Sequence, residues 1–88
     1  MDRCVSKEVS QLNAELREAI RYEAAQLGSK MVNSVQTNWT KFEKSECQLE
    51  ESPYKGGSIE PLIYGVCERG LLVQRISEIE AVVKAAPN

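Results

Sequence analysis

Apolar residues recur at Val5, Val9, Leu12, Leu16 and Ile20, with Leu27 beyond them, and Lys7, Glu8, Glu15, Arg17, Glu18 and Arg21 fill the positions between. Spacings of four, three, four and four trace one face of an α-helix. Asp2 is placed to cap its start. Gly28 is placed to stop it, because glycine takes backbone conformations past a helix end that other residues resist. The first predicted helix therefore covers about 3–27. Ser29 can cap a second, in which Val32, Val35, Trp39 and Phe42 follow at three, four and three and Leu49 lies one heptad past Phe42. That stripe predicts a helix over about 30–50 with Trp39 as a buried core anchor. So short a connection folds the two helices into an antiparallel hairpin.

Glu51-Ser52-Pro53-Tyr54-Lys55-Gly56-Gly57 breaks the periodicity and predicts a loop. Ser58 can cap a third helix, and Pro61 is tolerated in a first helical turn. Ile59, Leu62, Ile63, Val66, Cys67, Leu71, Val73, Ile76, Ile79 and Val83 line a broad apolar stripe, which predicts that helix over about 59–85. Gly65 and Gly70 lie inside it at a cost in helix propensity, and the expected use for both is close approach of a neighbouring helix. No segment alternates as a strand would. The predicted fold is all-α, a three-helix antiparallel bundle forming a single domain over 1–88.

Composition narrows the function. The chain has 88 residues, 42% hydrophobic and 27% charged, and eleven basic against thirteen acidic side chains give a net charge of -2. No basic stripe is present for nucleic acid, and no apolar run is long enough for a membrane span. The absence of histidine removes the commonest general base and the commonest metal ligand. Glu50-Glu51, Glu78 and Glu80 read as solvated helix carboxylates rather than a catalytic pair. Cys4, Cys47 and Cys67 form no CxxC, so no metal site is expected. Lys55-Gly56-Gly57-Ser58 lacks the frame of a phosphate loop. The expectation is a binding protein, not an enzyme, with no catalytic residues, metal or cofactor.

Gln36-x-x-Trp39-x-x-Phe42-x-x-x-x-Cys47 resembles a segment of the LprI-type lysozyme-inhibitor-like family, small secreted proteins in which a Gln, a Trp, an aromatic and a Cys recur at this spacing. Gly56-Gly57-Ser58-Ile59-x-Pro61-x-x-Tyr64-x-x-Cys67 resembles the next family block, and Arg75 falls where an Arg is common. Cys4, Leu16 and Ile20 fit the family's first helix. The chain departs from the pattern at Asn13, Arg17 and Ile20, where Asp and Asn-Tyr are usual, at Glu43 in place of Arg and at Leu72 in place of Thr. It also lacks an upstream cysteine. The resemblance implies export to the periplasm or cell surface, a disulfide-bonded helical fold and, for some members, inhibition of lysozyme. Met1-Asp2-Arg3-Cys4 runs straight into the first helical pattern, so no leader is expected within this chain.

If the second and third helices are antiparallel neighbours, Cys47 near the end of one approaches Cys67 two turns into the other. Cys4 is the rival partner, since the first hairpin also brings it towards residues 47–50. The Cys47–Cys67 pairing is favoured, and sequence alone leaves both open. The favoured function is occlusion of a lysozyme or another muramidase by a partner-binding loop. That loop carries Glu50 and Glu51, the aromatic Tyr54 and the base Lys55, and its acids suit a basic enzyme. The alternative is a structural or assembly module whose leftover apolar surface packs on a partner or a second copy.

Overall fold

Helix α1 runs Arg3–Leu27, α2 runs Ser29–Glu51, a short 3-10 helix spans Ser52–Tyr54 and α3 runs Glu60–Ala85 in a computed structural model that describes residues 3–87. No strand is present among the described residues. The three helices and their order are those the periodicity predicts. Asp2, the expected cap of α1, lies outside the described residues.

A single residue separates α1 from α2. Gly28 has φ +100°, its N–H donates to the carbonyl of Ala24 at 2.9 Å, and its own carbonyl accepts from Val32 at 3.3 Å. A side chain is strained at that φ, so glycine both ends one helix and starts the next. Ser29 is therefore already helical and is no cap. Ser58 is no cap either: α3 begins at Glu60, Ile59 precedes it, and neither helix start has a side-chain cap bond. The first turn of α3 relies on Pro61, which needs no N–H partner there, and on Glu60, whose charge suits the helix N-terminus.

Chain reversal at Gly28 and again in the 52–59 loop makes α2 antiparallel to both neighbours and leaves α1 and α3 parallel. Glu8 meets Arg69 towards one end of that parallel pair, and Tyr22 shares a groove with Val83 towards the other. The core lies mainly between α1 and α3. Val5, Val9, Leu16, Leu72 and Ile79 are buried together, with Leu12, Ile20, Trp39, Leu62, Ile76 and Val83 packed around them. The molecule measures 50 × 23 × 17 Å, and its radius of gyration of 14.6 Å exceeds the roughly 12 Å of a compact domain this long.

Three core expectations are corrected. The α2 stripe is not a core face throughout: Val32 is buried and Trp39 half-buried, but Val35, Phe42 and Leu49 are exposed. The physical reason is that α2 docks at an edge of the α1–α3 pair, so only a narrow strip of its apolar arc is covered. Second, Leu72, outside the predicted α3 stripe, is fully buried, while Val66 and Val73 within that stripe are exposed. Apolar and charged residues are spread around all sides of α3, so its pattern does not single out the inward face. Third, Gly65 is buried but Gly70 is exposed, and a methyl group added at Gly70 would meet nothing within 4 Å. No neighbouring helix uses that glycine.

Candidate interaction surface at the disulfide end

Cys47 and Cys67 form a disulfide across α2 and α3, with 5.6 Å between Cα atoms. Both cysteines are buried, Cys47 completely. Cys4 stays outside the bond and is exposed on α1. The pairing that helix geometry favoured is the one present, because the last turn of α2 and the second turn of α3 face each other beside the loop.

That bond fixes the base of the connection. Above it the Ser52 hydroxyl donates to the Leu49 carbonyl at 2.7 Å and extends α2 into the 3-10 helix. The Lys55 N–H donates to Ser52 and the Gly57 N–H to Tyr54. Gly56 turns the chain at φ +83°, in the region glycine favours, and its N–H reaches Glu60 Oε1 at 3.4 Å. Local bonds thus give the loop a defined shape, and much of the predicted loop is helical in form.

The four residues expected to contact a partner divide. Glu51 and Lys55 share a recess of about 260 Å³ with Gln48, Ser52 and Glu60. Tyr54 is 42% exposed on the 3-10 helix and does not line that recess. Glu50 does not line the recess and lies beside Glu46, whose hydrogen bond, with lesser burial and like-charge contributions, raises its pKa. The structure therefore brings two of the four together in that recess and leaves the other two outside it.

A second group was not anticipated. Along the α2–α3 seam Glu43 faces Glu68, and Tyr64 stands close to both. Burial, reinforced by the Glu68 charge, pushes the Glu43 carboxyl up to about 7, and one of its oxygens is buried with no hydrogen-bond partner among the described residues. Burial also raises Glu68. Tyr64 is raised by burial and by Glu68, Glu43 and Glu51 in turn. Further along the seam Arg75 Nε donates to Gln36 Oε1 at 3.1 Å. These acids were findable in principle, since Glu43 lies one turn before Cys47 and Glu68 adjoins Cys67. Reading glutamates on helices as solvated hid them.

This seam makes stability depend on pH. Folded Glu43 keeps its proton up to about pH 7, whereas its ordinary pKa is 4.5. The folded chain therefore binds more protons between those values, and stability is lost as pH rises through that window. The melting temperature is expected to fall between pH 5 and pH 8. In Glu43→Gln the fall should be shallower and the melting temperature at pH 8 higher than in wild type. Thermal melts of both proteins across that range check this; parallel curves would show that Glu43 is not the group responsible.

The described residues hold no group of three or more His, Cys, Asp or Glu side chains able to bind a metal ion, and no helix among them is long and apolar enough to cross a membrane. The surface beside the bond presents carboxylates, an ammonium group and an aromatic ring on a covalently braced loop. Fold and bond together define a small, disulfide-stapled helical protein. Residues 1–79 match the family described as lysozyme inhibitor LprI, and the chain belongs to that family. Gln36, Trp39, Cys47, Tyr64, Cys67 and Arg75, on which the resemblance rested, all come from the two helices of the seam, with direct bonds joining Cys47 to Cys67 and Gln36 to Arg75. No curated protein and no solved structure matches the chain.

Proposed function

We propose that this protein is an exported inhibitor that binds a lysozyme or related muramidase and occludes it, without chemistry of its own. The observation that carries this reading is the family match over residues 1–79. The braced loop supports it, because a recognition segment whose ends are fixed loses less entropy on binding. The buried disulfide supports export to the periplasm or cell surface, where such bonds persist. Glu50, Glu51, Tyr54 and Lys55 form the contact surface in this proposal, with Tyr54 as the aromatic anchor and the carboxylates steering a basic enzyme.

The test is a muramidase panel assayed with wild type and with a Glu50→Lys, Glu51→Lys, Tyr54→Ala triple variant whose fold circular dichroism has confirmed. Wild type is expected to inhibit at least one enzyme. The variant should inhibit about tenfold or more weakly, and added salt should weaken wild type more than the variant. Equal inhibition by both would move the interface elsewhere, and no inhibition by wild type would remove the inhibitor function.

One observation favours a second reading, an assembly module. Met31, Val35, Phe42 and Leu49 are exposed along α2 at spacings of four, seven and seven, which sets large apolar groups on one helix face. Light scattering over a concentration series distinguishes the readings. A mass that stays at one chain throughout counts against self-assembly.

A further inference from the structure

Gly70 has no role that the isolated chain explains. It lies deep within α3, where glycine is unfavourable relative to alanine. Its φ is not positive, so no turn requires it. An alanine methyl would meet nothing within 4 Å, so no internal contact requires it either. What glycine does here is leave the helix backbone bare between Val66 and Val73, which are exposed one turn to either side. The result is a notch of about 440 Å³ between α1 and α3, floored by Leu12 and Val73.

Two further concavities lie along the same helix pair, the nearer sharing Glu15 with the notch, and Ala19 and Ile76 are among their apolar lining. Four carboxylates, Glu8, Glu15, Glu18 and Glu80, line the run of three against two cations, Arg69 and Lys84. Arg69 is engaged, its Nη1 bonded to Glu8 Oε1 at 2.9 Å, and Glu18 is held at 2.7 Å by Arg21. Glu15 and Glu80 have no ion-pair partner among the described residues. Glu15 borders both the Gly70 notch and the concavity beyond it.

We propose that the α1–α3 groove centred on Gly70 is a second docking surface, which receives an arginine or lysine side chain projecting from a protein partner. The chemistry of the groove selects the occupant. A long basic side chain is apolar along its stem and charged at its tip. Its stem lies over the bare backbone at Gly70 against Leu12 and Val73, and its tip reaches Glu15. Any side chain at position 70 would fill the space that the stem takes. This inference rests on the inhibitor reading for the partner's identity alone; the groove's preference for a basic side chain stands on its own residues.

The experiment uses the full chain, labelled for amide NMR and titrated with the capped tripeptide Leu-Arg-Leu, with Leu-Gln-Leu as neutral control. Shifts confined to residues 8–19 and 66–80 are expected with the arginine peptide, saturating in the millimolar range, and at least fivefold weaker binding with the control. Glu15→Gln should bring the arginine peptide down to the control. Gly70→Phe, at an exposed position, should abolish the shifts while circular dichroism stays unchanged. Absence of localised shifts in wild type, or undiminished shifts in Gly70→Phe, would overturn the proposal. The same variant is then assayed against a muramidase that wild type inhibits, where about tenfold weaker inhibition is expected. Peptide binding without any muramidase inhibition would sink the inhibitor reading and leave the groove; muramidase inhibition without peptide binding would do the reverse.

Discussion

Reducing the Cys47–Cys67 bond is expected to lower the melting temperature by roughly 12–24 °C. The bond closes a segment of 20 residues, and in the chain-entropy account a loop of that size stabilises by about 3 kcal/mol. Each kcal/mol moves the midpoint of a domain of this length by roughly 4–8 °C. The effect arises mainly in the unfolded chain, because two buried thiols pack much as the disulfide did. Thermal melts with and without reductant, and melts of a Cys47→Ala, Cys67→Ala double variant, measure it. A midpoint unmoved by reductant, or peptide mapping that finds Cys4 in the bond, would contradict both the pairing and its role.

Leu72→Ala is expected to cost about 2–5 kcal/mol, because the removed atoms lie where no solvent reaches and the helices around them close only partly. The whole domain has roughly 4–13 kcal/mol to lose. The variant should therefore unfold at much lower urea, with the denaturant slope unchanged. The half-buried Trp39 makes a useful comparison. Its truncation should cost less than the 3–5 kcal/mol usual for a fully buried aromatic residue, and its emission should be that of a partly solvated indole. A loss below about 1 kcal/mol in Leu72→Ala would mean that the core is centred elsewhere.

Leu72 and Trp39 also show where the sequence is and is not legible. The α1 face reads correctly because its apolar and charged positions alternate with helical period, and Val5, Val9 and Leu16 are buried where the pattern puts them. The break at Gly28 is visible because one residue type suits its backbone. The orientation of α3 is not visible, since a helix with apolar and charged residues spread around all its sides carries no phase. Nor is the rotation of α2, whose apolar arc is wider than the contact it makes, and Phe42 and Leu49 fall on the uncovered part. The disulfide was legible as the favoured of two pairings, from helix antiparallelism, and the structure holds that one. The Glu43–Glu68 approach was not, because it depends on the depth at which two carboxylates lie in a seam, and spacing does not report depth. Glu23 was missed for the same reason: it is buried in α1 with one carboxylate oxygen lacking a hydrogen-bond partner among the described residues.

The slender outline of the bundle has a thermodynamic consequence. Its accessible surface is 6167 Å², while a compact monomer of this mass exposes about 5,200 Å². The excess of roughly 1,000 Å² is about what one partner contributes to a standard protein complex. A rod of three helices therefore keeps in water an area that a globule would have internalised, and a docked partner would remove it. By mass action, a partner at a hundred times its dissociation constant would stabilise the folded chain by about 2.7 kcal/mol. That is close to the roughly 3 kcal/mol of the Cys47–Cys67 bond, so occupancy at that level would stabilise the chain as much as covalent bracing does.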